Sequence, residues 1–153
     1  MNHEAVNKLL QIKNRPISKG LILIASEFDQ LEPFIETLSS ELLNKVMSTW
    51  PGPVNWLLPI NPRSPRYLRG DHNLQAVRIS NHPTVRALCS EFGGAIVSTS
   101  ANPSKRPPAR TAIQANRYFH HKISYILHGH IGKLRQPCEI RNGLNNQIVR
   151  SAT

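Results

Sequence analysis

The sequence predicts an α/β domain built on a mixed sheet. Two observations lead there. Short apolar, β-branched runs recur at 20–25 (GLILIA), 54–60 (VNWLLPI), 76–80 (AVRIS) and 95–99 (AIVST). Between them lie segments whose apolar residues fall at helical spacing, and strands alternating with helices define an α/β layer architecture. The 153 residues suit one domain with a real core, and 39% apolar with 18% charged residues describes a globular chain.

The elements follow in order. Ala5, Val6, Leu9, Leu10 and Ile12 share one face of a helix over 3–12, which Pro16 stops. GLILIA then reads as a buried strand. Ser26 reads as the N-cap of a short helix running toward Pro33. Ser39 or Ser40 caps the next helix, with Leu42, Leu43, Val46, Met47 and Trp50 as its apolar face. WPGP (50–53) is a sharp turn before the strand at 54–60. NPRSPRYLRG (61–70) is a loop carrying Arg63, Arg66 and Arg69. A strand at 76–80 carries Arg78. Asn81 and Pro83 open a helix that ends at Gly93. After the strand at 95–99, Thr111 caps a helix through Phe119. ISYIL (123–127) reads as a strand, and CEIR with QIVR (138–141, 147–150) as a strand pair around NGLNN.

Charge is the strongest compositional signal. Nineteen Lys and Arg stand against nine Asp and Glu, a formal net charge of +10. Such a balance favours anionic partners such as nucleotides or RNA, and it equally serves solubility. Cys89 and Cys138 are far apart and form no CxxC, which excludes a zinc ribbon or a disulfide framework. No apolar run has transmembrane length, and the N-terminus lacks a basic flank with an apolar core. The reading is a cytoplasmic protein without a membrane partner.

Two stretches carry candidate chemistry. KNRPISKG (13–20) places Lys13, Arg15 and Lys19 at a strand entrance, where they can hold a polyphosphate. A solvated basic turn fits the same pattern. VSTSANPSKRPPART (97–111) leaves the end of a strand, where ligands of α/β sheets bind. It has no glycine, so Ser98, Ser100, Asn102 and its basic residues would replace the backbone cradle of a phosphate loop. A capped turn before Pro103 is the alternative. The absence of GxSxG argues against a hydrolase nucleophile elbow. HGH (128–130) has no companion ligand spacing and reads as surface histidines, so no metal ligands are assigned. Trp50 and Trp56 have apolar neighbours and read as core, although either could stack on a base.

KNRPISKGLILIA, WPGPV, AVRISNHPTVRALC, GGAIVSTSANPS and CEIRNG…QIVR occur in the order found in the YrdC-like threonylcarbamoyl-AMP synthases, and the chain resembles the short bacterial form of that family over nearly its whole length. The resemblance implies an open twisted mixed sheet flanked by helices, with a basic concave face. It implies an ATP-dependent nucleotidyltransferase. Threonine and bicarbonate form a carbamate, whose oxygen attacks the α-phosphorus of ATP, giving threonylcarbamoyl-AMP and pyrophosphate. A tRNA threonylcarbamoyl-transferase complex downstream would modify the adenosine 3′ of the anticodon. Mg2+ is expected with ATP.

By the same resemblance, Lys13 and Arg15 are the catalytic cations facing the nucleotide phosphates. Lys19, Ser100, Asn102 and Arg150 belong to the ATP site. Arg78 holds the threonine carboxylate, and Ser98 and Cys138 line the threonine. The chain departs from the family at Cys138, usually serine, at Asn142, often aspartate, and at Pro108, often serine. The family's opening Pro-Thr-x-Thr segment is not found, so residues 1–153 are expected to form one YrdC-like domain truncated at the N-terminus. Two other readings fit the residues: a non-catalytic basic module binding tRNA or double-stranded RNA, and an inactive truncated paralogue.

Overall fold

A computed structural model describes residues 1–132 and 136–151. Six strands form one sheet: β1 (Ile22–Ala25), β2 (Val54–Pro59), β3 (Leu74–Ile79), β4 (Ile96–Ser98), β5 (Glu139–Asn142) and β6 (Ile148–Arg150). Their order is β4-β1-β3-β2-β5-β6. The pairs β1/β3 and β2/β5 are parallel, and the other three are antiparallel. The expected open mixed sheet is therefore present. Five helices accompany it among the described residues: α1 (His3–Lys13), α2 (Ser40–Met47), α3 (Arg66–Arg69), α4 (Pro83–Phe92) and α5 (Ala112–Phe119).

Register separates two faces, because directly paired residues project to the same side. Val77 pairs with Leu23 and with Trp56. These three are almost fully buried and form the core face with Ala25, Ile79 and Leu58. Val6 and Leu10 of α1, Val46 of α2 and Leu68 of α3 close over it. Trp50 and Trp56 belong to this core; their Nε1 groups donate to Val54 O (2.7 Å) and Thr49 Oγ1 (2.9 Å). The opposite face carries Ser98, Ile22, Ile24, Arg78, Asn55, Ile140 and Arg150 by the same register. It is covered at the β1 end by α4, whose Cys89 thiol donates to Ile24 O at 3.5 Å.

Three helix ends follow sequence logic. Asn2, Ser39 and Thr111 each cap a helix by accepting from a backbone amide three residues on. Gly93 closes α4 with a left-handed backbone, φ 69°.

Four local expectations are corrected. Ser26 caps no helix: its amide and hydroxyl both donate to Gln30 Oε1 (2.9 and 3.1 Å), and 26–31 is a turn before a 3-10 turn at Glu32–Phe34. His82, not Asn81, is the N-cap of α4, with its own amide donating to Ser80 Oγ. The 61–70 loop contains the helical turn α3, which Pro65 starts and Gly70 ends. ISYIL forms no strand. It is irregular chain, with Tyr125 and Leu127 exposed, because β-branched content supplies propensity but not a partner edge.

Gly70 and Gly20 let the two basic loops touch backbone to backbone. A Cβ at Gly70, where φ is +68° and ψ −138°, would meet Ser18 O at 2.3 Å and Gly20 N at 2.5 Å. The contact is held by Leu21 N donating to Leu68 O (2.7 Å) and Asp71 N to Ser18 O (3.1 Å). Gly70→Ala is expected to lower stability by about 1–3 kcal/mol, since that backbone region is essentially glycine-only. A urea titration checks this, with the midpoint falling and the slope unchanged.

Candidate functional site

The cationic end of the site begins at the last turn of α1. Asn14 adopts a left-handed backbone (φ 47°, ψ 51°). Its amide donates to Gln11 O and that of Arg15 to Leu10 O, both at 3.0 Å, which is a Schellman closure. The reversal sends Lys13 and Arg15 to different neighbours. Lys13 is buried, and its ammonium donates to the carbonyls of Ser100 and Asn102, with Asn102 Oδ1 at 3.4 Å. Arg15 turns to the strand entrance, where Nε and Nη2 donate to Gly20 O (3.1 and 2.8 Å) and Nη2 reaches Lys19 O (3.3 Å). Burial, and then the positive charge of Arg15, hold the Lys13 ammonium below its ordinary pKa of 10.5. Burial also lowers Arg15. Lys19 is exposed.

The 97–111 stretch is a folded loop rather than a slack connection. Asn102 donates its side-chain amide to Pro103 O (3.1 Å) and to Arg106 O. Ala109 N donates to Ala101 O at 2.8 Å and Arg106 N to Pro103 O at 3.1 Å. The hydroxyls of Ser98 and Ser100 have no partner among the described residues, which leaves both free for a ligand. Its cations Lys105, Arg106 and Arg110 are exposed.

The second cluster forms across β2, between Arg78 on β3 and the entry of β5. Arg78 Nη1 donates to Cys138 Sγ at 3.0 Å, while its Nε is shielded from solvent and has no partner among the described residues. Arg150 donates to Cys138 O through Nη2 (2.7 Å) and Nε (3.3 Å). Two guanidinium groups thus flank one half-buried cysteine. Asn55, on the same sheet face and buried, donates to Glu139 O at 3.0 Å and fixes the entry of β5. The sequence reading missed Asn55. Its signal was a lone amide inside the apolar run VNWLLPI.

The structure therefore gathers Arg78, Cys138 and Arg150 into one contact set, and Lys13, Ser100 and Asn102 into another. Ser98 shares the Arg78 face but sits two strands away, roughly 10 Å by sheet spacing. The basic side chains of the 61–70 loop make no hydrogen bond to either set among the described residues: Arg66 pairs with Asp71 at 2.7 Å, and Arg69 donates to His72 O. Among the described residues no three His, Cys, Asp or Glu side chains converge as metal ligands, and no helix is long and apolar enough to cross a membrane.

Guanidinium forks, hydroxyls and a lysine-tied loop on an open sheet face define an α/β protein suited to anionic small molecules. The chain belongs to the Sua5/YciO/YrdC family, whose sequence model, described as "Telomere recombination", matches residues 1–152. It is 45% identical over 149 residues to a threonylcarbamoyl-AMP synthase of Halorhodospira halophila, covering 97% of this chain and 78% of that relative. Two solved structures of P. abyssi Sua5 superpose closely. A doubly substituted form gives a TM-score of 0.92 at 25% identity over 99% of this chain. The complex with L-threonine gives 0.85 at 27% over 92%. The chain spans 47% and 42% of those two longer chains.

The two thiols are expected to differ sharply. Cys89 is fully buried, and burial pushes its thiol above the ordinary range, whereas Cys138 lies at the site. A water-soluble aromatic disulfide should titrate one thiol in the native protein and the second only after unfolding. Mass mapping should place the first on Cys138.

Proposed function

We propose that this chain is an L-threonylcarbamoyl-AMP synthase. The observation that carries the reading is the 45% identity, over 97% of the chain, to a protein of that name. The family uses ATP. Threonine and bicarbonate first condense to the N-carbamate with loss of water. A carbamate oxygen then bonds to the α-phosphorus of ATP, the bond from that phosphorus to the bridging oxygen breaks, and pyrophosphate leaves with the electron pair.

The site residues suit these demands. Arg78 takes the threonine carboxylate through guanidinium donors not spent on Cys138. Ser98 and Cys138 line the threonine. Arg15, Lys19 and Arg150 supply positive charge for the triphosphate and leaving pyrophosphate, and the two arginines, held by backbone carbonyls, stabilise developing charge with little reorganisation. Lys13, Ser100 and Asn102 form the nucleotide loop. Positioning of carbamate against phosphorus provides much of the remaining acceleration. No carboxylate cage is needed for Mg2+. Mg2+ would enter bound to ATP and help neutralise the phosphate charge that Arg15, Lys19 and Arg150 also meet. The product would pass in the cytoplasm to a transferase complex acting on tRNA.

Pyrophosphate release with ATP, Mg2+ and bicarbonate, with and without threonine, tests the reading. Release that requires threonine is expected. Arg78→Ala and Arg15→Ala should each lose at least about a hundredfold in rate, the scale of a lost transition-state or orienting contact, with unfolding midpoints near wild type. Undiminished turnover in both variants removes the site assignment.

A further inference from the structure

We infer that Lys13 is the positioning residue of the nucleotide loop, acting on ATP through the backbone of Ser100 and Asn102 rather than by touching a phosphate. An ammonium has three donors and no acceptor. In this structure all of them face oxygens of that loop: the Ser100 carbonyl, the Asn102 carbonyl and Asn102 Oδ1. The partners lie 87 and 89 residues downstream, so the contact is tertiary and ties the end of α1 to the exit of β4.

The energetics support the assignment. Lys13 is only 7% exposed. An ammonium buried to that degree is costly unless hydrogen-bonded. Desolvation and Arg15 both oppose its charge, so the loop oxygens are what compensate it. The loop gains in turn. It has no glycine, and its internal ties all run between residues 100 and 109. None of those fixes the loop against the rest of the molecule. Lys13 does, and the side of the loop bearing the Ser100 hydroxyl stays free. Arg15 differs: its Nε and Nη2 donate to the Lys19 and Gly20 carbonyls of another loop, while its Nη1 has no partner among the described residues and is left for a phosphate.

The consequence for ATP rests on the synthase reading; the tie itself does not. Two measurements therefore separate them. Hydrogen–deuterium exchange of the ligand-free protein reads the tie. Lys13→Met should speed exchange of the amides in 99–109 at least tenfold and leave β1 and β3 unchanged, while Arg15→Met should not speed the 99–109 loop. If Lys13→Met does not fold, wild-type protein with labelled lysine serves. Hydrogen-bond couplings from Lys13 Nζ to the carbonyl carbons of Ser100 and Asn102 are expected, and their absence overturns the inference. Unchanged loop exchange in folded Lys13→Met overturns it too.

Kinetics read the consequence. Lys13→Met should lower kcat/KM for ATP at least tenfold, with the loss carried by KM. A hundredfold fall in kcat at unchanged ATP KM would instead make Lys13 a phosphate contact. If the wild-type chain releases no pyrophosphate, the synthase reading fails while the exchange result still decides the tie.

Discussion

One left-handed residue organises the cationic end of this molecule. Asn14 ends α1 and turns the chain back within a single residue. Without that reversal Lys13 and Arg15, two positions apart, would both follow the helix. With it, one ammonium goes inward to the loop after β4 and one guanidinium goes to the loop before β1. Asparagine tolerates the left-handed region better than most residues, since its short amide can bond locally. The last turn of a helix also favours a cation, so Lys13 is placed where the α1 dipole helps hold its charge.

The sheet supplies the second constraint. Its two faces are set by period-two alternation along β3, where Gln75, Val77 and Ile79 are buried and Ala76 and Arg78 are not. Arg78 is thus delivered to the open face by the same register that sinks Val77 between Leu23 and Trp56. A slip of one residue would bury the guanidinium and expose the core. The order of strands matters as much. Because β5 lies beyond β2, the Cys138 thiol at its entry comes within reach of Arg78, and β6 returns Arg150 to the carbonyl of the same residue.

Much of this was legible in the sequence, and the failures share a cause. The runs GLILIA, VNWLLPI and AIVST contain β1, β2 and β4, and AVRIS covers most of β3, because β-branched apolar runs admit few alternatives. ISYIL has the same composition but no ladder. A strand is a relation between two segments, and composition reports only one of them. Ser26 failed similarly: a serine before a polar stretch suggests a cap, but Gln30 turned out to satisfy the serine. At the site, residue types at a strand end identified Ser98, Ser100 and Asn102 as candidates, and the family resemblance added Arg78. The contact between Lys13 and the 100–102 carbonyls was not readable, since its partners are backbone atoms that every sequence contains. Asn55 was readable in principle, as the polar residue in VNWLLPI.

On the proposed reading, the loop after β4 has a specific difficulty in meeting phosphate without glycine. It cannot bring successive backbone amides close to the ligand, as a glycine-rich cradle does. Here the difficulty is resolved by dividing the labour. The carbonyls of Ser100 and Asn102 are turned to Lys13, which removes repulsive oxygens from the ligand's approach. The Asn102 side chain spends its amide on Pro103 and Arg106, which closes the loop on itself. Among the described residues the hydroxyls of Ser98 and Ser100 have no partner, and each is able to donate or accept. A buried cation so used does not need to reach the phosphate to matter. By taking up the carbonyl oxygens of Ser100 and Asn102, it keeps their negative dipole ends from facing the nucleotide proposed to bind here.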